Sequence, residues 1–537
     1  MSHVACVSPA GVAWSGAGWR VDSSGVLRLP RGRVWTWSAH ELLGAAAQLD
    51  PDALGRARPR LRVGRDGTVG SWSLDGTTVA SLRAWLGDDD EPDSRDVDGA
   101  MRLAADVEAT CADLGCAPAS TPGTLATRVL DEGEDGPRMA PGWASIFAAA
   151  PGPLRERLIG GRVEALDLGE EEGPASYWDR RSAYVAELLR PLPVAATYRP
   201  ADRPDLSADG MSWATVRVPA DVDVPPLTLR VALPHGPAAT LSPVGTLRAR
   251  WTHAELRYAL ACGAQLVALG PGIHCDVAPD ARLVDLARRI LAARARGRRS
   301  ARGLGVALVG RLQGSAATRS ASIVYGSPSD MTRALLQLRR SGVALGHLRL
   351  GGEAEDERAP GWFLRTATRE ASAKSHGAPW VDAVLAAHVL GRARTEAAMA
   401  IVANPGRVRL VATDGILVRG RQAPRGVETG AEPGAWVRKE YGDASRVDGA
   451  TAWALRRRGQ WEGTAVDGWD VLRVAAERLP WDYSPGPRGR PAVVAGRAPG
   501  GGPVRVELAG TRCPVPVVVL PRRRRPEATP RQRHDAR

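Results

Sequence analysis

Asp179-Arg180-Arg181-Ser182-Ala183-Tyr184 and Ala412-Thr413-Asp414-Gly415-Ile416 are the two stretches that decide how this chain folds. The first reads D-x-x-S-x-Y, at the end of a strand-rich run and the start of a helix-like one. The second places an Asp-Gly turn between two β-rich runs, Val408 to Val411 and Ile416 to Val418, with Asp414 lying 235 residues after Asp179. Each has an ordinary structural reading. An Asp-Gly pair between valine-rich strands is a common hairpin device, and an aspartate before a helix is a favoured N-cap. Their joint order, with what lies around them, carries the information.

Outward from this pair, the chain shows Gly160-Gly161-Arg162-Val163-Glu164 upstream, after a helix-like run. Downstream come Pro243-Val244-Gly245-Thr246, then Arg302-Gly303-Leu304-Gly305-Val306-Ala307-Leu308-Val309-Gly310-Arg311, and finally Gly434-Ala435-Trp436 before Lys439-Glu440-Tyr441. An arginine-loaded helix is expected from about Leu283 to Arg299. Apolar helices are expected from Val97 to Leu114 and from Val381 to Val402, by their 3.6-residue spacing. Residues 1–87 read as short strands and turns. Asp88 to Asp93 read as an exposed acidic loop, and Gly115 to Pro122 as a linker with turn chemistry.

The 537 residues carry a net charge of +13, the footprint of a nucleic-acid partner, although nearly all of the positive charge is arginine and only Lys374 and Lys439 are lysine. Six cysteines in so long a chain do not make a disulfide framework, which sets a reducing cytoplasm as the expected location. The sequence shows no signal peptide and no apolar run of about 18 residues, so no membrane association is expected.

In this order and spacing the motif set resembles family B DNA polymerases of the protein-primed and organellar type, over roughly residues 100 to 455. The resemblance implies an α/β fold: a right-hand polymerase of palm, fingers and thumb behind an N-terminal degenerate RNase H-like exonuclease domain. It divides the chain into an exonuclease-like domain at 1–118 and a first part of the palm at 119–275. Fingers follow at 276–330, an insertion and the rest of the palm at 331–455, a thumb at 456–520, and a disordered basic tail at 521–537.

The same resemblance assigns residues. Asp179 and Asp414 are the catalytic, metal-bridging aspartates. Tyr184 excludes a ribose 2′-hydroxyl, and Ser182, Arg302 and Gly310 complete the nucleotide site, Arg302 standing where the fingers motif K-x-x-x-N-S-x-Y-G has lysine. Gly161, Arg162, Trp436 and Lys439 are the DNA-binding positions. The implied cofactor is Mg2+ (or Mn2+). The implied partners are template and primer DNA, deoxynucleoside triphosphates and a terminal protein where priming is by protein, acting on a monomer.

The chemistry asks for this set. A 3′-hydroxyl is a poor nucleophile at neutral pH and a triphosphate is densely charged, so two divalent ions stabilise the attacking and the leaving oxygen. Mg2+ takes one or two carboxylates and fills its shell with water and phosphate oxygens. A fingers cation then offsets phosphate charge, as a fork rather than a point charge when it is arginine.

The chain also departs from the family. In the palm motif Y-x-D-T-D-S, Leu410 replaces the tyrosine, Ala412 the first aspartate and Gly415 the serine. Val306 and Val309 replace the Asn and Tyr of the fingers motif. No D-x-E occurs in the first 80 residues, and only Asp106 and Ser38-Ala39-His40 match remnants of exonuclease motifs, so no proofreading activity is expected. These departures keep a second reading in view, a polymerase-like scaffold that binds DNA without synthesis. His253, Cys262, His274 and Cys275 fit no standard zinc spacing. Gly303, Gly305 and Gly310 do not fit a dinucleotide loop, and no Walker-type loop is present.

Overall fold

A computed structural model describes most of residues 2–131, 159–313 and 382–463. It adds backbone strands at 317–326, 344–349 and 361–370 and a few two-residue strands beyond 473. The acidic stretch Asp88 to Asp93, the helix-like run before Gly160, most of the thumb assigned to 456–520, and the basic tail 521–537 lie outside the described residues. By its contacts the chain divides into two compact units. One comprises 1–156, 184–198 and 277–386; the other comprises 157–183, 199–276 and 387–537.

The first unit begins with strands β1 (Ser2–Ser8), β2 (Gly11–Trp14) and β3 (Arg33–Thr36), helix α1 (Ala39–Leu49), then β4 (Arg60–Val63), β5 (Val69–Leu74) and β6 (Thr77–Ser81). These strands form a six-stranded sheet in the order β2-β1-β3-β6-β5-β4. β1, β3 and β6 run parallel at its centre. Helix α1 is a correction to the reading of residues 1–87 as strands and turns. Its Leu42, Leu43 and Ala46 share one face and bury against Val34, Trp72 and Val79 of the sheet. Helix α2 (Val97–Asp113) starts at an Asp96 N-cap, whose side chain accepts from Gly99 N. Helix α3 (Pro122–Asp131) follows the expected Gly115–Pro122 linker.

The rest of the chain starts with β7 (Val163–Ala165) and the long β8 (Gly169–Arg180), then helix α4 (Ala183–Leu188). Next come β9 (Gly210–Val218), β10 (Gly245–Thr252), helix α5 (His253–Ala261) and β11 (Gln265–His274). Helices α6 (Ala281–Ala295), α7 (Leu304–Gln313) and α8 (Ala383–Val402) follow. Strands β12 (Val408–Ala412), β13 (Gly415–Arg419), β14 (Trp436–Gly449), β15 (Ala452–Arg457) and β16 (Gln460–Gly463) come last. The helices expected near 97, 283 and 383 are present to within a few residues. Among the described residues no helix is long and apolar enough to cross a membrane.

In the second unit β7, β8 and β12 to β16 make a seven-stranded antiparallel sheet, ordered β16-β15-β14-β8-β13-β12-β7. Alternation along β8 sorts its side chains between two faces. Trp178 joins Val411, Ile416, Val418 and Trp436 in a core covered by Ala397, Ala400 and Ile401 of α8. Ala175 turns the other way, into a cluster with Leu410, Leu417, Val447, Trp453 and Leu455, against which Tyr177 and Ala412 pack half-buried. Asp179 continues this second row, where the apolar cover ends. A second sheet in the same unit aligns β11, β9 and β10 antiparallel.

Candidate active site

β8 brings the two key aspartates together. Its register pairs Asp179 with Gly415 of β13, the residue after Asp414, and Arg180 N donates to the Asp414 carbonyl at 2.7 Å. Two sequences 235 residues apart thus meet on neighbouring strands. Asp179 lies within a strand, which excludes its reading as a helix cap. The hairpin also differs from the expected Asp-Gly turn. Ala412 pairs with Gly415, so the two loop residues are Thr413 and Asp414, and Gly415 already belongs to β13. The positive backbone angle falls on Thr413, at φ +62°, a conformation that costs a β-branched residue energy.

That strained loop is held from a third segment. Thr413 N donates to Arg162 O at 2.7 Å, and a Cβ on Gly161 would lie 2.4 Å from Thr413 Cγ2. Only glycine lets the 160–162 segment approach so closely. The segment is anchored in turn by Arg394 of α8, whose guanidinium donates to the carbonyls of Ile159 and Gly160 and pairs with Glu255 at 2.7 Å. Both charged side chains of that pair are 5 % exposed.

The electrostatics are those of an under-neutralised carboxylate pair. Asp414 is pushed up to about 6, first by burial and then by the charge of Asp179. Burial raises Asp179 as well, opposed by Lys439. The Lys439 ammonium lies 3.5 Å from Asp179 Oδ2. Like charges brought together in a partly dry site cannot both ionise freely. A divalent cation answers that deficit, and the oxygen-only donor set suits Mg2+ or Mn2+. The pair therefore fits the implied ions, which Asp179 and Asp414 would hold.

The remaining assigned residues fall into different places. Ser182 sits in the turn after β8 at φ +52°, beside the reciprocal bonds of Arg181 with Gly434 and Ala435. In the other unit, Tyr184 lies against α7: a Cβ on Gly305 would be 3.5 Å from Tyr184 Cβ and 2.8 Å from Val185 Cγ2. Arg302, Val306 and Gly310 recur at four-residue spacing and are exposed, while Leu304, Leu308, Val309 and Leu312 are buried. The apolar Val306, 61 % exposed, thus stands on the presented face.

Two assignments to DNA are corrected. Arg162 is 1 % exposed and bonded to Glu164 and Pro225 O, and Trp436 is 5 % exposed in the core under α8. Neither side chain is exposed at the surface. Gly161 acts through its lack of a side chain. Lys439 reaches the Asp179 carboxylate.

Asp106 and Ser38, which match exonuclease remnants, and the nearby Glu108 all accept hydrogen bonds. Asp106 accepts from Ser300 N at 2.9 Å, Glu108 from Trp35 Nε1 at 2.9 Å, and the Ser38 hydroxyl from Glu41 N at 3.3 Å at the start of α1. The His40 side chain lies outside the described residues. His253 bonds Ser212 Oγ and Ala208 O, His274 accepts from Asp205 N, and no group of three metal-ligating side chains occurs among the described residues. Sequence reasoning assigned no role to Tyr177, Glu255 or Arg394. Tyr177 alone left a signal, since i and i+2 share a strand face.

Neither a protein-family model nor a curated protein matches the sequence. Solved structures do. The fold is similar to that of Phi29 DNA polymerase. Its orthorhombic crystal form matches with a TM-score of 0.52 and 12 % identity, over 81 % of this chain and 81 % of that one. Its binary complex with primer-template DNA matches with a TM-score of 0.54 and 10 % identity, over 87 % of this chain and 90 % of that one. Its ternary complex with primer-template DNA and incoming nucleotides gives 0.53 and 11 %, over 80 % and 82 %. The α/β right-hand polymerase fold with an N-terminal exonuclease-like domain is therefore the fold of this chain.

Proposed function

We propose that this protein is a DNA-directed DNA polymerase that adds deoxynucleotides to a primer, without a proofreading exonuclease. The observation that carries the reading is the meeting of Asp179 on β8 with Asp414 in the β12–β13 loop, at the end of the sheet face that the apolar cover leaves. The likeness to Phi29 DNA polymerase, whose structures include DNA and nucleotide complexes, supports it.

Bound divalent ions would activate the 3′-hydroxyl and stabilise the leaving pyrophosphate. The chain's own part is to hold both carboxylates in place and, through Lys439, to keep Asp179 ionised. On the fingers helix Arg302 offers an exposed cation for phosphate, with Gly310 on the same stripe, and Tyr184 packs against that helix as the sugar-side residue. Ser182 shapes the turn that leads from β8 to Tyr184. Asp106 and Glu108 accept structural hydrogen bonds, which supports the lack of proofreading.

A second reading is a DNA-binding scaffold that does not synthesise. Ala412 in place of a carboxylate and the exposed Val306 in place of an amide favour it. Extension of a labelled primer on a template, with Mg2+ or Mn2+, separates the two. Synthesis by the wild type that is lost in Asp179→Ala and Asp414→Ala supports the polymerase. DNA binding without extension, from a nucleic-acid primer or a terminal-protein hydroxyl, supports the scaffold. Shortening of the primer in the absence of nucleotides would overturn the lack of proofreading.

A further inference from the structure

Tyr177 precedes Asp179 by two residues on β8, so both side chains rise from the same sheet face. Its ring is fixed by stacking on Trp453 of β15, with centroids 4.4 Å apart and planes inclined by 21°. The phenol end then reaches across to β13. A Cβ built on Gly415 would lie 1.9 Å from the Tyr177 oxygen and 2.5 Å from Cζ. No side chain at 415 can coexist with Tyr177 as it stands.

Gly415 is the position where the motif Y-x-D-T-D-S carries serine. The hydroxyl missing from β13 is thus matched by one delivered from β8 into the same space, over Gly415, the residue after Asp414 and the cross-strand neighbour of Asp179. The phenol proton is held firmly. A phenol keeps its proton at neutral pH. A group that stays protonated beside two carboxylates is a hydrogen-bond donor, not a base.

We propose that the Tyr177 hydroxyl is the uncharged donor of the Asp179–Asp414 cation site. It replaces the serine hydroxyl and hydrogen-bonds an oxygen of the occupied site, which makes Tyr177 a positioning residue. This inference rests on the reading of the two aspartates as a divalent-cation site.

Mn2+ binding, followed by electron paramagnetic resonance of the free ion without DNA or nucleotide, tests it. Tyr177→Phe keeps the ring stack and deletes only the hydroxyl. Unchanged thermal stability with Mn2+ affinity weakened by about fivefold, the scale of one hydrogen bond, is expected. A relocated hydroxyl should rescue: Tyr177→Val/Gly415→Ser should bind Mn2+ more tightly than Tyr177→Val/Gly415→Ala. Wild-type affinity in Tyr177→Phe, or equal affinity for serine and alanine at 415, overturns the inference. Asp179→Asn and Asp414→Asn keep the two readings apart. If they bind Mn2+ as the wild type does, the cation site itself is wrong. If they lose binding while Tyr177→Phe does not, only the role of Tyr177 falls.

Discussion

The ammonium of Lys439 lies 3.5 Å from Asp179 Oδ2 because β14 carries one residue more than β8 at this point. Tyr177 pairs with Glu440 and Trp178 with Arg438, which leaves Lys439 as the bulged residue. A bulge re-aims a side chain that regular pairing would direct elsewhere. Here it turns one of the chain's two lysines onto the Asp179 carboxylate.

Lys439→Gln should therefore tighten Mn2+ binding at about pH 8 while slowing primer extension. The ammonium competes with a cation for Asp179, but it is 48 % exposed and screened by solvent, so a change of only about two- to threefold is expected. Titration of Mn2+ without DNA, set beside single-turnover extension, checks both signs. Weaker Mn2+ binding in the variant would mean that Lys439 assists the site.

Acidity should control the same site. The folded pKa of Asp414, about 6, lies above its ordinary value of 3.8. Without metal, the stability linked to this proton is complete below pH 3.8 and is lost as pH rises through about 6. A divalent ion competes with that proton. Stabilisation by Mn2+ should be small at about pH 5, grow through about 6 and level off above about 7. Melting temperatures with and without Mn2+ across this range measure it. In Asp414→Asn the metal-free protein should lose the dependence and gain on the order of 1 kcal/mol near neutral pH, from the removed like charge. A stabilisation by Mn2+ independent of pH would contradict the assignment.

Gly161→Ala should loosen the hairpin, since the added carbon would stand 2.4 Å from Thr413 Cγ2 and neither backbone can retreat easily. A loss of about 1–3 kcal/mol is expected, as for overpacking generally. Thr413→Gly removes both the clash and the strain at φ +62°. The double variant should then recover much of the loss by urea denaturation. No recovery would show that 161 and 413 act independently.

The sequence reached the two aspartates, their hairpin and the helices near 97, 283 and 383 because short-range patterns encode them: β-rich runs around a turn, and apolar residues at helical spacing. Long-range pairing was not legible. Whether Trp436 lies outside or under α8 depends on which strand β14 joins, and a tryptophan suits either setting. Arg162 looks like any surface arginine in a chain so rich in them, yet it is buried. Helix α1 was within reach, since Leu42, Leu43 and Ala46 already mark one face. The role of Gly415 was not, because its meaning comes from Tyr177 on another strand.

The least legible pair should be among the most costly to break. Glu255, at the start of α5, accepts from Thr252 in a capping box and pairs with Arg394 of α8, 139 residues away in sequence. Arg394→Met would strand a carboxylate that is 5 % exposed and remove the donor to Ile159 and Gly160, so a loss of about 3–5 kcal/mol is expected. Glu255→Gln/Arg394→Met removes both charges and should cost less than Arg394→Met alone. The carbonyl contacts lead from Gly160 to Arg162 and on to Thr413, so a further effect is expected. Even where Arg394→Met remains folded at low temperature, its Mn2+ affinity should fall, and the double variant should not restore it, because the donor to the 159–160 carbonyls is still missing. Stability recovered together with affinity would show that the pair serves the fold alone.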